Sequence, residues 1–352
     1  MAKNTVTIRE LARLSGVSVG TVSRALNGYP DVGQETRERI VRLAEELDYT
    51  PQAAARTLVT RRSHVVGIFL DTFRDHADIQ HPFFAEVLTG IKQRLGQAGY
   101  DLLLFASEQP GNGFGVHSYL KRCTHHHVDG CVLMGVQADD PEVQRLARSS
   151  LPCVSVDVEF EGQHSAWVSS DNLQGAELAV QHLSECGHKR IGHIAGPLHT
   201  TPGRERLRGF QRAMAGAGLS YFDELVVYGD FHYESGMAAM DKLLKLDEPP
   251  TAVFAASDMM AMGAMRAVYA AGLSVPDDIA MVGFDDITVA AMAHPPLTTV
   301  RQEKSRLGEL AAEALLHRMD DSTNGTTDPT LTLPVSLVAR ESTLGERSPV
   351  PS

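Results

Sequence analysis

From Val65 onward, short apolar runs alternate with longer amphipathic stretches, and this alternation constrains the fold more than any other feature of the sequence. Runs of about five apolar residues have the length of buried strands, whereas the stretches between them repeat apolar residues at helical spacing. Strands separated by helices form parallel sheets that are covered on both faces, and the runs are too numerous for one open sheet. We therefore predict two α/β lobes. The predicted strands are 65–70, 101–106, 130–134, 153–158, 190–195, 225–229, 252–256 and 279–284, and the predicted helices are 83–98, 173–186, 204–217, 234–246, 259–271 and 306–319.

Length and composition fit this organisation. The chain has 352 residues, of which 43% are hydrophobic and 22% charged, as in globular proteins of two or three domains. The four cysteines, at 123, 131, 153 and 186, form no closely spaced pair, which is typical of a reducing cytoplasm. No apolar run approaches the roughly 18–20 residues that span a bilayer, and the charged N-terminus lacks the apolar region of a secretory signal. We therefore expect a cytoplasmic protein with no membrane partner.

Charge is distributed unevenly along the chain. Residues 1–62 contain 10 Lys and Arg against 7 Asp and Glu, a balance of +3, so the remaining residues carry −15 within the formal net charge of −12. A small basic nucleic-acid-binding module attached to an acidic body is one interpretation. Ordinary fluctuation over about sixty residues is the other, so the motifs must decide between them.

The first fifty residues have the pattern of a helix-turn-helix unit. Thr7–Glu10 fits the capping box that opens a helix, and Gly16 ends that helix. Ser18 is a good N-cap for a second helix that runs through Asn27, and 34–47 carries a third helical pattern. Two short helices joined by a tight turn place the second helix in the major groove of DNA.

The second of these helices has a face suited to DNA. Its inward residues are Val22 and Leu26, and its outward residues are small or hydroxylated apart from one arginine, namely Val19, Gly20, Thr21, Ser23 and Arg24. Small side chains allow the backbone to approach bases and phosphates closely, and an arginine can donate two hydrogen bonds to guanine. A three-helix bundle without DNA-binding function shows a similar periodicity, so the pattern alone is moderately specific.

Longer stretches of this segment resemble the headpiece of the lactose-repressor (LacI) family. The resemblance is carried by Thr-Ile-Arg-Glu-Leu-Ala from Thr7, Gly-Val-Ser-Val-Gly-Thr-Val-Ser-Arg-Ala-Leu-Asn from Gly16, Thr36-Arg37, and Leu-Asp-Tyr-Thr-Pro ending at Pro51. It covers about fifty positions. Gly33 departs from the family, which usually has a serine there to cap the third helix, so a phosphate contact at this position is in doubt.

The resemblance also implies a hinge helix and a set of DNA contacts. The nine residues 51–59 are too few for a stable isolated helix, so this stretch should order against DNA and a second copy of the chain. In the family a leucine at the position of Leu58 inserts into the minor groove, as apolar wedges do where they kink a duplex, although simple packing in a linker is the alternative. The implied DNA-binding residues are Thr7, Ser18, Val19, Gly20, Thr21, Ser23, Arg24, Asn27, Thr36, Tyr49, Gln52, Ala55 and Leu58.

The body of the chain resembles the same family up to about residue 342. The stretches that carry this resemblance are 81–86, 128–130, 170–172, 187–191, 206–210, 282–286 and 296–300. They imply a periplasmic-binding-protein-like core of parallel α/β sheets, with two lobes joined by three crossovers, a small ligand in the cleft, and a homodimer. The expected division is a headpiece at 1–50, a hinge at 51–62, a core at 63–345 and a tail at 346–352. The first lobe is expected at about 63–168 and 299–326, and the second at about 169–298 and 327–345.

Candidate effector-binding residues follow from the resemblance, position by position. They lie at or just after predicted strand ends, where open α/β sheets bind ligands, or early in a helix, and they are Phe83, Phe84, Asp157, Arg206, Phe231, Ser257 and Asp285. Many relatives have asparagine in place of Ser257, so one ligand contact is in doubt. The stretch 71–80 is longer than usual and can reshape the mouth of the cleft. Each candidate also has an ordinary structural interpretation as a helix cap, ion-pair member or core ring.

Arg206 and Asp285 illustrate the alternatives most clearly. A guanidinium supplies donors and a carboxylate supplies acceptors, so together they suit a pair of sugar hydroxyls, with Phe231 covering an apolar face of the sugar ring. We expect the two residues near opposite walls of the cleft or at the back of one polar pocket. A salt bridge between them that only fixes the lobes is the alternative.

Other chemistry is disfavoured. Cys123 with His125–His127, and His182 with Cys186 and His188, lack an evident full zinc ligand set. The glycines of 111–115 match neither phosphate-binding spacing, so that stretch is expected to be a flexible loop. The adjacent carboxylates Asp285 and Asp286 should point apart, because successive side chains at a strand end face opposite ways. We therefore expect no metal, no cofactor and no enzyme.

The function indicated is a ligand-responsive DNA-binding transcriptional regulator, most consistent with a repressor of carbohydrate-utilisation genes. Its expected partners are pseudo-palindromic operator DNA, a sugar or sugar derivative, and a second copy of the chain. A sugar-transport protein shares the two-lobed core but lacks the headpiece, and an enzyme would need a catalytic constellation. The sequence leaves open the identity of the effector, whether it releases or tightens operator binding, the operator sequence, and any assembly beyond a dimer.

Overall fold

The computed structural model describes residues 6–26, 29–49, 62–70, 81–106, 118–159, 161–320 and 330–344. The chain divides into two compact units, Met1–Ser63 and His64–Ser352. Several predicted features lie outside the described residues. These are Asn27, nearly all of the hinge with Gln52, Ala55 and Leu58, the stretch 71–80, the loop 111–115 and the tail.

The first unit contains the three predicted helices, α1 (Ile8–Ser15), α2 (Val19–Leu26) and α3 (Gln34–Glu46). The hydroxyl of Thr7 accepts a hydrogen bond from the Glu10 amide at 3.3 Å, and the hydroxyl of Ser18 accepts one from the Thr21 amide at 3.1 Å. Both predicted N-caps are therefore confirmed. The third helix begins after Gly33 without a side-chain cap.

A small apolar core holds these helices together. Leu11 of α1, Val22 and Ala25 of α2, and Ile40 of α3 are buried against one another. Leu26, predicted to face inward, is only half-buried at the edge of this core, while Ala25 lies inside it. Both predicted inward residues, Val22 and Leu26, therefore pack against the core, and Ala25 joins them.

The second unit contains two six-stranded sheets, one in each lobe. The strands of the first sheet are β1 (Val65–Leu70), β2 (Asp101–Phe105), β3 (Gly130–Met134), β4 (Cys153–Val156), β5 (Ser165–Ser170) and β11 (Thr330–Leu333). Those of the second are β6 (Ile191–Ala195), β7 (Val226–Tyr228), β8 (Ala252–Ala255), β9 (Ala280–Asp285), β10 (Thr298–Arg301) and β12 (Ser336–Val338). Their orders are β11-β5-β4-β3-β1-β2 and β12-β10-β9-β8-β6-β7. All the pairings are parallel except that of β10 with β12, as expected for buried α/β sheets.

Helices cover both faces of each sheet. Those of the first lobe are α4 (Pro82–Gln97), α5 (Tyr119–His125), α6 (Pro141–Ala147) and α11 (Lys304–Met319), and those of the second are α7 (Asn172–Glu185), α8 (Thr201–Gly216), α9 (Tyr233–Leu243) and α10 (Asp258–Ala270). Two separate apolar cores pack the helices onto each sheet. Among the helices that the structure describes, none is long and apolar enough to cross a membrane.

The chain passes between the lobes three times, after β5, after β10 and after β11. The first passage lies close to the predicted boundary at 168. The second lies later than the predicted 299, because β10 at Thr298–Arg301 pairs with β9 of the second sheet. The third also lies later than the predicted 326, because β11 at Thr330–Leu333 pairs with β5 of the first sheet. Both strands have only four residues, two of them threonines, so they carry weak apolar patterns, which accounts for both shifts.

Each lobe contains a helix pair in close contact through glycines. In the first lobe, a Cβ placed on Gly90 of α4 would lie 1.9 Å from the Ser305 carbonyl oxygen, and one on Gly308 of α11 would lie 2.0 Å from that of Val87. In the second lobe, Gly263 of α10 lies equally close to the Tyr233 carbonyl, at 1.9 Å. Only glycine permits these approaches, so both lobes depend on the same packing device.

Candidate functional site

A cleft of about 790 Å³ opens between the lobes, at the carboxyl ends of the parallel strands. The structure brings all seven candidate effector-binding residues to its wall, namely Phe83, Phe84, Asp157, Arg206, Phe231, Ser257 and Asp285. Strands of both sheets end at this cleft, which is where open α/β sheets bind ligands. That these residues bind an effector stays a prediction, whereas their convergence is a property of the fold.

Unusual backbone conformations aim several of these side chains. Asp157 follows β4 with a φ of 59°, Phe231 follows β7 with a φ of 72°, and Asp285 ends β9 with a φ of 119°. Residues with side chains seldom adopt positive φ, and such conformations cluster at binding sites because surrounding contacts enforce them. All three residues lie where a strand ends at the cleft.

Arg206 of α8 is the centre of the second-lobe wall. Its side chain is buried, with 3% of the residue exposed. Its Nε donates to the Oδ1 of Asn172 at 2.8 Å, and one terminal nitrogen donates to the Ala256 carbonyl at 2.6 Å. That nitrogen lies 3.7 Å from the Oδ1 of Asp285, and the guanidinium lies over the ring of Phe284 at 3.6 Å. Hydrogen bonds and an ion pair therefore hold Arg206 in place without a ligand.

These contacts decide where Arg206 and Asp285 lie relative to each other, and they leave open whether the pair binds a ligand. Arg206 and Asp285 lie in the same lobe, so the expectation of opposite walls was wrong, and they lie together at the back of one polar pocket. An ion pair between them exists, as the structural alternative required. It fixes elements of one lobe rather than the two lobes to each other.

Asp285 is surrounded by donors. Its carboxylate accepts a hydrogen bond from the Gln302 side chain at 2.7 Å, besides the contact with Arg206. Burial raises the pKa of the Asp285 carboxyl, while Arg206 and Lys304 oppose that rise. Its neighbour Asp286 turns away, toward Arg301 and Arg340 at 2.6 Å each, so the two carboxylates diverge as predicted.

The first-lobe wall is mainly apolar and aromatic. Phe83 and Phe84 meet edge to face at 5.2 Å between ring centroids, beside Val156 and Val158. One carboxyl group, that of Asp157, interrupts this surface and accepts a hydrogen bond from the Ser169 hydroxyl at 2.9 Å. Burial raises the pKa of Asp157 to about 6, although nearby Arg206 favours its ionised form.

Ser257 is a helix cap, which is one of the ordinary structural interpretations that the sequence allowed. Its hydroxyl accepts from the Met260 amide at 3.2 Å, which caps α10, and donates to the Phe231 carbonyl at 3.0 Å. The residue therefore supports the positive-φ conformation of Phe231. Since the hydroxyl is engaged in both contacts, Ser257 shapes the wall more than it offers free hydrogen-bonding groups.

The sequence prediction missed several residues that line the cleft. Three histidines are among them, His81, His199 and His232. The ring of His81 in the first lobe lies 5.5 Å from that of His232 in the second, at nearly a right angle. Burial lowers the pKa of His81. Thr201 and Asp230 also line the cleft. Their position shortly after β6 and β7 was the available signal, since strand ends of both sheets meet here.

The described DNA-binding candidates lie on the headpiece with differing exposure. Thr7, Ser18, Val19, Gly20 and Arg24 are exposed, whereas Thr21, Ser23, Thr36 and Tyr49 are half-buried. The hydroxyls of Ser18 and Thr21 lie 2.9 Å apart. Arg24 pairs with the exposed Asp31 at 2.6 Å, an interaction that solvent weakens and that a guanine or phosphate could replace. Their contacts with DNA stay predictions.

The histidines and cysteines considered for zinc have other partners. His182 shares a hydrogen bond with the Thr343 hydroxyl at 2.8 Å, and His188 shares one with that of Thr251 at 3.0 Å. Cys123, Cys131 and Cys153 are buried in the first lobe, and burial raises the pKa of Cys153 to about 12. Within the described ranges, no three His, Cys, Asp or Glu side chains form a metal-binding group.

Comparison with known proteins links both units to one class of regulator. The sequence model described as "Bacterial regulatory proteins, lacI family" matches residues 7–52, and that of a "Periplasmic binding protein-like domain" matches residues 180–343. The HTH-type transcriptional regulator CelR of Thermobifida fusca is 40% identical over 96% of this chain and 98% of its own length. The ribose operon repressor of Escherichia coli K12 is 37% identical over 90% of this chain and 94% of its own length.

Solved structures of such regulators share the fold. The complex of CelR with cellobiose matches with a TM-score of 0.71 and 37% identity, covering 96% of this chain and 99% of that one. The lac repressor dimer bound to operator and the anti-inducer ONPF matches with a TM-score of 0.81 and 29% identity, covering 97% and 100%.

Proposed function

Because the chain belongs to the LacI family of bacterial regulatory proteins, and is therefore a DNA-binding transcriptional regulator, we propose that a neutral sugar in its cleft controls its binding to operator DNA. The main support for this proposal is the composition of the cleft, which combines a buried guanidinium–carboxylate pair with aromatic rings. We further propose that it acts as a cytoplasmic repressor of carbohydrate-utilisation genes, since its operator would lie on the bacterial chromosome.

The hydrogen-bonding groups of the cleft suit hydroxyls. Each sugar hydroxyl donates and accepts, so one hydroxyl can accept from Arg206 while donating to Asp285 or Asp157. Phe83, Phe84 and Phe231 offer apolar surface for the C–H faces of a sugar ring. A few placed polar groups within an otherwise apolar wall are typical of small-molecule sites.

The charge of the cleft argues for a neutral ligand. The positive charge of Arg206 already faces Asp285 at 3.7 Å, and Asp157, ionised above pH 6, and Asp230 are two further acidic residues of the wall. An anionic sugar phosphate would therefore meet a cleft whose only nearby guanidinium, among the described lining residues, is already paired with a carboxylate. Coulomb repulsion from the carboxylates makes such a ligand bind more weakly than the parent sugar.

The headpiece supports operator binding by a dimer. One helix-turn-helix reads one half-site, so two copies are needed for a pseudo-palindromic operator. The relatives named above include a ribose operon repressor and a lac repressor dimer bound to operator. We propose that the exposed face of α2 enters the major groove and that the hinge residues Gln52, Ala55 and Leu58 also contact DNA, with Leu58 in the minor groove.

The alternatives are less well supported. A transport protein would have no use for the helix-turn-helix unit. An enzyme needs reacting groups that converge, whereas Asp285 faces Arg206 and Asp286 faces Arg301 and Arg340. We therefore propose that the cleft binds its ligand without transforming it.

A thermal-shift screen followed by operator titration tests this proposal. The panel contains cellobiose, ribose, the phosphorylated form of each, and adenine as a flat aromatic ligand. A ligand at 100 times its Kd stabilises the folded protein by about 2.7 kcal/mol. We expect a neutral sugar to stabilise the protein and to change its affinity for a duplex selected from a random pool. Preferential binding of a phosphorylated sugar or adenine, or a sugar without effect on the duplex, would contradict it.

A further inference from the structure

A buried lysine crosses the junction between the lobes. Lys304 begins α11, a first-lobe helix, and only 4% of the residue is exposed. Its ammonium group donates to the backbone carbonyls of Asp285, at 2.6 Å, and Asp286, at 3.0 Å, at the end of β9 in the second lobe. The same group lies 3.5 Å from the carboxylate of Glu86 on α4, in the first lobe. One cation thus contacts both lobes behind the cleft.

The position of this charge makes it sensitive to lobe orientation. A cation in the first turn of a helix faces the positive end of the helix dipole, and burial adds a desolvation cost. The two second-lobe carbonyls offset most of that cost, because Glu86 is more distant and its side chain is 42% exposed. If β9 moves away from α11, Lys304 keeps only its first-lobe partner.

The surrounding residues connect Lys304 with the ligand wall. Asp285 contributes its backbone carbonyl to Lys304 and its carboxylate to the pair with Arg206. Glu86 lies one turn or less along α4 from Phe83 and Phe84, which line the opposite wall. A ligand that draws the two walls together must therefore act on both partner sets of Lys304.

We propose that Lys304 is a positioning residue that links cleft occupancy to lobe orientation, because it binds the Asp285 and Asp286 carbonyls together with Glu86 in the orientation described here and keeps Glu86 alone as the lobes rotate. This inference rests on the proposed ligand-controlled operator binding, and it adds the residues through which the control passes. Glu86 and Lys304 lie in one lobe, so their ion pair survives rotation, whereas the carbonyl contacts do not. Glu86 alone then offsets the desolvation cost of the ammonium group, so the Glu86 contact contributes more to the rotated orientation than to the one described here.

Two substitutions should shift the orientation in opposite directions. Glu86→Gln removes the partner that remains after rotation, so it favours the orientation described here. Lys304→Met removes the charge that the second-lobe carbonyls stabilise, so it disfavours that orientation. We expect their ligand-free affinities for the selected duplex to change by about threefold or more, with opposite signs, because an operator binds one orientation preferentially.

The matched control is Glu313→Gln. Glu313 of α11 pairs with Arg94 of α4 at 3.6 Å, so it joins the same two helices without touching the second lobe. This variant should leave duplex affinity unchanged within about 1.5-fold. Circular dichroism melting checks that each variant is folded, and if Lys304→Met does not fold, Lys304→Gln supplies the same sign.

Affinities are measured without sugar, so the outcome does not depend on the identity of the effector. Changes of the same sign, no change in either variant, or an equal change in the control would overturn the role of Lys304. A wild-type protein that binds the duplex but responds to no sugar would instead overturn the proposed function. The direction of the affinity change in the Glu86 and Lys304 variants would still test the role of Lys304.

Discussion

The two walls of the cleft are built on similar lobes but differ in chemistry. Each lobe is a six-stranded sheet covered by helices, with one helix pair in glycine-mediated contact. The second-lobe wall holds Arg206 and Asp285 in a network of hydrogen bonds, whereas the first-lobe wall presents Phe83 and Phe84. Common architecture therefore does not determine the chemistry of the strand ends, which a few side chains supply.

This difference suggests a division of tasks. Polar groups that are already oriented lose little entropy on binding, so the second lobe is suited to recognise hydroxyls. Aromatic rings contribute by excluding water, so the first lobe is suited to cover the apolar faces of the ligand. If the walls differ in energy as they do in composition, substitutions on the second-lobe wall should destabilise the protein more than substitutions on the first-lobe wall.

The largest expected effect is on the second-lobe wall. Arg206→Ala leaves the buried Asp285 without its nearest guanidinium, and breaking a buried pair costs about 3–5 kcal/mol. Phe84→Leu on the first-lobe wall should cost less than about 1.5 kcal/mol. Urea unfolding of both variants measures the difference, and equal losses would mean that the walls do not differ as described.

The next effect concerns Asp157, the one carboxyl group among the described residues of the first-lobe wall. Asp157 has a pKa of about 6 in the folded protein against an ordinary 3.8, so the folded state retains a proton that the unfolded chain has released between these values. Its contribution to stability is therefore present below pH 4, falls as the pH rises to 6, and stays lost above. At 1.36 kcal/mol per pH unit, the loss is about 3 kcal/mol.

Asp157→Asn removes this titration while keeping an acceptor for Ser169. The free energy of unfolding of the wild type, minus that of the variant, should decrease by about 3 kcal/mol between pH 4 and pH 6 and then stay constant. Unfolding curves at several pH values give this difference. A difference that is constant across the range, or that increases with pH, would show that burial does not raise the pKa of Asp157.

The smallest expected effect is the destabilisation caused by substituting the glycines at the helix contacts, which tests whether both lobes pack their helices in the same way. Gly308→Ala and Gly263→Ala each place a Cβ within about 2 Å of a carbonyl oxygen, so each should cost about 1–3 kcal/mol or more from overpacking. Gly96→Ala, in the same helix as Gly90 but with open space around it, should stabilise by up to about 1 kcal/mol. Unequal losses in the two lobes would show that only one depends on glycine contact.

The sequence predicted the long, strongly patterned elements well. The strands at 65–70 and 130–134 have the predicted bounds, and the long helices differ by a few residues at their ends. The strand Ser165–Ser170 was missed because polar residues occupy much of it, and α5 and α6, of seven residues each, are too short to establish a period. Apolar periodicity identifies elements only where they are long enough to repeat.

The sequence predicted which residues line the cleft better than it predicted the hydrogen bonds that hold them. Strand-end positions and family resemblance located the candidates that line the cleft, including Arg206 and Asp285. Their partners Asn172 and Gln302 are distant in sequence, and no local pattern indicates which long-range hydrogen bonds form. Lys304 was also missed, because the predicted helix began two residues later and no local pattern indicates its contacts with Asp285 and Asp286.

The central claim is that the cleft and the operator-binding headpiece influence each other. Thermodynamic linkage requires that a sugar that changes operator affinity by some factor has its own affinity changed by operator through the same factor. The direct measurement is calorimetric titration of the sugar identified by screening, into the free protein and into the protein saturated with duplex. The account predicts two Kd values that differ by the factor found in the operator titration. Equal Kd values would contradict it, because the cleft would then bind sugar without affecting DNA.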